Sequence, residues 1–274
     1  LFPFDLKETK QYLLQEKRFD IDDKSVVDIY MILGGVAKYL SYLDSKLSIA
    51  QNINKLFFSL HSQLYAEYDA LFKSLFYDKS SSHRKIIDLL VTKQSGLEMM
   101  ELEALLKDIT SSTLRIHIEE LIDTGFIKPI GRHSYASKHT KYMVCDPFCN
   151  FFNKWVQPLS KNDIASLIDY FETKSTSQDY IIWQGFAFEM VMIANIELYL
   201  KARGLSAGVK SIGYWNYISE NEDESGVQID IVIEYIGNTY DIVECKYYND
   251  EFAIDKSYAK NLQNKKEKFI EHGI

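Results

Sequence analysis

Apolar residues recur at three- and four-residue spacing in LKETKQYLLQEK, DDKSVVDIYMILGG and NINKLFFSLHSQLYAEYDALFKSLF, which predicts helices across most of residues 1–78. Gly34-Gly35 stops the second of these, and a short helix or turn follows at Val36–Leu40. DKSSSHRK, near residue 80, is polar and serine-rich and reads as a linker. Beyond it the spacing predicts helices over Arg84–Thr92 and Met99–Lys107. A third runs from about 110 to 124, with Thr110 as its N-cap and Gly125 closing it. Alternating strands FIKPIG and KYMVCD then flank RHSYASKHT. Residues 146–172 are aromatic and helical, punctuated by Pro147 and Pro158, and a polar loop near 175 sets the last boundary.

Three helices followed by a β-hairpin make a winged helix-turn-helix. Its third helix carries Arg115, Glu119, Glu120 and Asp123, an acidic balance that suits a DNA groove poorly. The wing is basic instead: Lys128, Arg132, Lys138 and Lys141 occur with no acid between them, a candidate nucleic-acid contact. The other reading of this module is a rigid spacer or protein-docking surface.

The last hundred residues alternate again. WQGFAFEMVMIANIELYLKARG predicts one helix over 183–204, with Phe186, Met190, Ile193 and Leu200 as its buried stripe and Glu189 set among apolar neighbours. QIDIVIEYIGNTYDIVECKYY, residues 228–248, reads as two strands around a turn, and a lysine-rich helix follows from about Phe252 to Ile270. On strand TYDIVECKYY, Glu244 and Lys246 point to one face and Cys245 to the other. Their relation to Asp230 depends on the turn. A two-residue turn at Gly237-Asn238 puts Asp230 and Glu244 on opposite faces; a three-residue loop over Ile236–Asn238, or a bulge near Asp230, sets them across from each other.

Composition narrows the choices. A hydrophobic content of 46% describes a globular chain, and 274 residues suffice for two or three small domains. The formal net charge of −8 argues against coating nucleic acid by bulk electrostatics, so any such contact needs a local basic patch. Cys145, Cys149 and Cys245 have no paired spacing, which points to a reducing, cytoplasmic compartment; Cys145-x3-Cys149 lacks a second ligand pair for zinc. No apolar run approaches the roughly 20 residues that span a bilayer, and no signal peptide is seen. No G-x-x-x-x-G-K-[ST] loop occurs, so nothing here cradles ATP phosphates.

Glu189 on a helix, Asp230 on a strand and Glu244-x-Lys246 on the next resemble the core of the PD-(D/E)XK nucleases, with Ile229 where that family's name has proline. The resemblance implies that Asp230 and Glu244 bind Mg²⁺ or Mn²⁺ with Glu189 as a supporting acid. Lys246 becomes the catalytic amine, and the reaction is cleavage of DNA phosphodiesters. The order of the whole chain resembles the C-terminal half of the archaeal-type AAA-like P-loop ATPases. IYMILGGVAKYL is similar to their lid motif, with Ala37 replacing its proline, and YMVCDPFCNFFNKWV to their aromatic connector. It implies an α+β multidomain chain: a helical lid-like region over 1–78, a winged helix over 79–146, a connector over 147–175 and an α/β nuclease-like domain over 176–274. It further implies that the chain is a fragment, that ATP belongs to a missing N-terminal domain, and that homo-oligomers form through that ATPase portion. An inert nuclease fold acting with the winged helix as a protein- or DNA-binding platform is the alternative.

Overall fold

The computed structural model describes residues 3–59, 62–135, 139–166, 169–219 and 226–274, and combines helices with one mixed six-stranded sheet. The first part is helical: α1 (Leu6–Gln15), α2 (Asp23–Leu33), α3 (Ala37–Ser41), α4 (Ile49–Phe57) and α5 (Tyr65–Phe76). Local signals set the ends. Asp5 and Glu8 form a reciprocal cap on α1, as do Ser48 and Gln51 on α4. Gly34 ends α2 at φ +61°, and Gly35 has a different reason to be glycine. The segment entering α1 crosses it so closely that a Cβ there would lie 1.8 Å from the Phe4 carbonyl oxygen.

No linker separates the next part. Tyr77, at φ +47°, breaks the chain after α5, and the serine run expected to be a loop starts α6 (Ser80–Thr92). The reason is tertiary: His83, inside that run, is fully buried and stacks on Phe76. Strand β1 (Leu97–Glu98), α7 (Met99–Leu105), α8 (Ser111–Asp123), β2 (Ile127–Arg132) and β3 (Lys141–Val144) follow, with Thr110 capping α8. β3 pairs antiparallel with both β1 and β2. The connector comprises α9 (Pro147–Phe151), which runs into a π turn over Phe152–Val156, then α10 (Lys161–Ser166) and α11 (Tyr170–Lys174). Asp146 caps α9, with Pro147 in the first helical position. One continuous core runs from Leu13 through Phe57, Ile118 and Phe151 to Val191, so it spans the boundaries expected near 79, 146 and 175.

The helix expected over 183–204 is two: α12 (Gln178–Ala194) and α13 (Ile196–Arg203), bent by 62° at Asn195. Asn195 donates from Nδ2 to the Val191 carbonyl at 2.9 Å, and its Oδ1 accepts the Leu6 backbone N–H at 2.8 Å. A side chain thus replaces a turn of helix and holds the start of α1. Asn195→Ala leaves a donor of α1 unmet and is expected to cost about 1–3 kcal/mol in urea denaturation. Met190, Ile193 and Leu200 are buried as expected, whereas Phe186 is not: it is 37% exposed. No single helix among the described residues is long and apolar enough to cross a membrane; α12 and α13 together pass by length and composition only.

The last strands are β4 (Val209–Tyr217), β5 (Val227–Tyr235) and β6 (Thr239–Val243), followed by α14 (Lys256–His272). The full sheet order is β1-β3-β2-β4-β5-β6. Its join is a short parallel pairing of β2 with β4, Gly131 opposite Gly213 and Arg132 opposite Tyr214. Helices cover both faces of β4–β6. Met190, Ile193 and Leu200 pack with Ile231, Ile233 and Tyr235 on one face, and Phe269 packs with Trp215, Ile229 and Val232 on the other.

Candidate active site

The β5–β6 hairpin fixes where the acidic groups lie. Ile231 pairs with Val243 and Tyr235 with Thr239, leaving a three-residue loop of Ile236, Gly237 and Asn238. Gly237 (φ +93°) and Asn238 (φ +58°) take the left-handed conformations that such a loop needs. Continuing this register by one step puts Asp230 opposite Glu244, beyond the paired residues. A bulge acts at the same place: between Gly213–Val232 and Trp215–Ile229, Tyr214 alone faces both Asp230 and Ile231. The bulge breaks the alternation of β5, so Ile229 and Val232 share one face while Ile231 joins the other.

The Asp230 carboxylate reaches across to β6, where Oδ2 accepts the Cys245 N–H at 3.0 Å. Glu244 turns toward α14. Its Oε2 receives Lys265 Nζ at 2.6 Å and lies 3.6 Å from Lys246 Nζ, while its Oε1 is buried with no hydrogen-bond partner. Beside it a cleft of about 320 Å³ opens between the hairpin and α14, lined by Ile229, Ile242, Glu244, Lys265 and Lys266. Lys246 keeps 37% of its side chain exposed. Burial works against its charge, but Asp230 and Glu244 outweigh that and raise its pKa.

Glu189 comes to the same place from α12. Burial, then the charge of Asp230, pushes its carboxyl up to about 7, with Lys141 and Lys246 pulling the other way. Lys141 was expected in a nucleic-acid wing; the fold sets it beside this carboxyl. The four groups are thus coupled electrostatically, but Glu189, Asp230 and Glu244 do not draw together as one tight set. Among the described residues the group of three or more His, Cys, Asp or Glu ligand atoms within 4.8 Å of one another is His83, His117 and Glu120.

A raised carboxyl has a defined effect on stability. Between pH 4.5, the ordinary value, and about 7, the folded chain keeps a Glu189 proton that the unfolded chain releases. Stability therefore falls as pH rises through that window, and the penalty is complete above it. Glu189→Gln should be neutral below the window and stabilising above it by on the order of 3 kcal/mol, read from denaturation curves at both pH values.

The wing residues are engaged within the chain. Lys128 Nζ donates to the Ile193 carbonyl at 3.3 Å, and Arg132 donates to the Asn216 carbonyl at 2.6 Å and lies over the Tyr135 ring. Lys141 Nζ sits 4.7 Å from the Tyr214 ring centroid. Lys138 lies outside the described residues. On α8, Ser112, Arg115, Ile116 and Glu119 form an exposed face, with Arg115 paired to Glu103 at 2.8 Å. Sequence reasoning missed Lys265, which was one lysine among several on an amphipathic helix. It also missed the histidine cluster, whose members lie 34 residues apart.

By donor type the three carboxylates suit a hard divalent cation, although their ligand atoms do not lie within one shared shell. Carboxylate oxygens are the ligands such ions take. Glu244 Oε1 is buried without a partner, and burial and the charge of Asp230 push the Glu189 carboxyl up to about 7. No family model matches the chain, and comparisons with curated proteins and with solved structures find no match.

Proposed function

We propose that the last third of this chain is a nuclease-like domain of the PD-(D/E)XK type, in which Asp230 and Glu244, supported by Glu189, hold Mg²⁺ or Mn²⁺ and Lys246 serves phosphodiester hydrolysis. The observation that carries this is the approach of Glu189, Asp230, Glu244 and Lys246 to the end of β5 and β6, where burial and the charge of Asp230 raise Glu189 and the charges of Asp230 and Glu244 raise Lys246. A bound divalent cation supplies charge for a nonbridging phosphate oxygen and a more acidic water. Asp230 orients the strand end through Cys245, and Lys246, whose side chain is 37% exposed, offsets the charge that develops on phosphorus. Lys265, 2.6 Å from Glu244 Oε2, would have to yield that carboxylate for Glu244 to hold a cation.

The middle part fits a winged helix, with α6, α7 and α8 as its helices and β2–β3 as its wing, and the whole order fits the C-terminal half of an archaeal-type ATPase. One observation favours the platform reading for this module: Lys128, Arg132 and Lys141 each meet a group in 193–216 of the same chain. The wing then serves to dock the nuclease-like part, and DNA meets the lysines of α14 instead. The test is incubation of the full chain with supercoiled plasmid and with single-stranded DNA and RNA, each with Mg²⁺, Mn²⁺ or chelator. Cation-dependent nicking is expected; its absence on all substrates leaves the platform reading.

A further inference from the structure

His83, His117 and Glu120 form a second cluster, on α6 and α8 rather than on the elements that carry the carboxylates just described. His83 stands on α6 with no exposed surface; His117 and Glu120 stand one turn apart on α8. His83 Nδ1 lies 2.9 Å from the Lys79 carbonyl oxygen. That oxygen can only accept, so Nδ1 carries the ring proton. The other nitrogen, Nε2, lies 2.8 Å from Glu120 Oε2, and the same oxygen is 3.0 Å from His117 Nδ1.

With Nδ1 protonated, a neutral His83 ring points its Nε2 lone pair at a carboxylate oxygen. Two acceptors in contact repel. A second proton on the ring would relieve this only by placing a charge on a ring with no exposed surface, stacked on Phe76 at 3.9 Å and against His117 at 4.3 Å. Placing a dication between the three groups relieves it without a proton. A ring N–H donated to a backbone carbonyl is also how metal-bound histidines are oriented. The two separations to Glu120 Oε2, 2.8 and 3.0 Å, are shorter than the roughly 3.3 Å expected between ligand atoms about 2.0–2.1 Å from a tetrahedral ion, so the carboxylate would draw back by a few tenths of an ångström.

The cluster opens onto a cleft of about 440 Å³ bordered by Tyr77, Asp78, Lys79 and Asp123. Two exposed acids at the mouth give a cation an entry path, and the cleft leaves a fourth position for water. Lys79, 3.3 Å from Glu120, is the charge that an ion would displace.

We propose that His83 Nε2, His117 Nδ1 and the Glu120 carboxylate bind one zinc-like divalent cation, Zn²⁺ or Co²⁺, with one position open to this cleft, tying α6 to α8. Imidazole and carboxylate ligands in this number select such ions over Mg²⁺, so the site is independent of the nuclease-like proposal.

The test uses the full chain with Asp230→Asn, so that binding at the other carboxylates is not counted. After chelator treatment and dialysis it is titrated with Zn²⁺ by calorimetry and with Co²⁺ by visible absorption. One equivalent of each is expected, with the intense visible bands of four-coordinate cobalt and a raised unfolding temperature. His117→Gln and Glu120→Gln, each checked by circular dichroism for folding, should weaken Zn²⁺ binding by more than about tenfold. Nitrogen NMR should show the His83 Nε2 resonance of the metal-free chain shift on adding Zn²⁺. The proposal is overturned if the parent chain binds Zn²⁺ no better than the folded variants. It is equally overturned if His83 carries protons on both nitrogens and is unchanged by zinc.

Discussion

Asp230→Asn is expected to abolish cation-dependent phosphodiester cleavage while keeping the fold. The substitution is nearly isosteric, and Oδ1 of the new amide can still accept the Cys245 N–H now held at 3.0 Å. What disappears is the negative ligand. The metal-free variant should also be more stable than the parent above pH 7, because the charge of Asp230 is second only to burial in raising Glu189. Lys246→Ala separates the roles: cation binding should persist while the rate falls by about 10²–10³, the cost of losing one group that stabilises transition-state charge. Parallel assays of plasmid nicking and Mn²⁺-induced thermal shift on both variants check this. Equal loss of binding in both would mean that Lys246 only holds Glu244 in place, to which its Nζ lies 3.6 Å away.

Gly213→Ala should destabilise the chain by about 3 kcal/mol or more, by the strain of overpacking against backbone. A Cβ on Gly213 would lie 2.3 Å from the Gly131 carbonyl oxygen, at the point where β2 meets β4 in parallel. The obstacle is main chain, so no rotamer change relieves it. Either β2 moves off the sheet or β4 bows. Both disturb the hydrogen bond that the Arg132 side chain donates to the Asn216 carbonyl, close to this pairing. Gly131→Ala provides the control, since a Cβ there meets nothing within 4 Å. Urea denaturation of the two variants should differ by most of the predicted cost; similar midpoints would show that the wing and the last strands are not joined in this way.

The hairpin is the part of the site that the chain discloses most directly. Gly237 and Asn238 limit the loops available, and the metal reading needs an odd one or a bulge; the structure has both. Local signals also suffice for Thr110 as a cap and Gly34 as a stop. Where the reading departs from the structure, a distant partner is responsible. Asn195 looks like any polar residue in a helix until the Leu6 N–H, 189 residues away, meets its Oδ1. The serine run near 80 looks like a linker because its own residues have weak helix preference; His83 packing on Phe76 decides otherwise. The wing cations look like a phosphate surface because their partners, Ile193, Tyr214 and Asn216, come from strands and helices far along the chain. Phe186 fits the helical period but stays partly exposed. The burial and the Asp230 charge that raise Glu189 were readable as residue types and not as distances.

The most direct test of the central claim is a Mn²⁺ titration followed by unfolding temperature, with His117→Gln in every chain to silence the histidine cluster. Chains with Asp230 and with Asp230→Asn are compared at pH 8. Where the carboxyls form a cation site, millimolar Mn²⁺ stabilises the Asp230 chain by RT ln(1 + [Mn²⁺]/Kd), about 2.7 kcal/mol at one hundred times Kd. The Asp230→Asn chain then shows little change. An equal shift in both chains, or no shift in either, would contradict a cation site at Asp230 and Glu244.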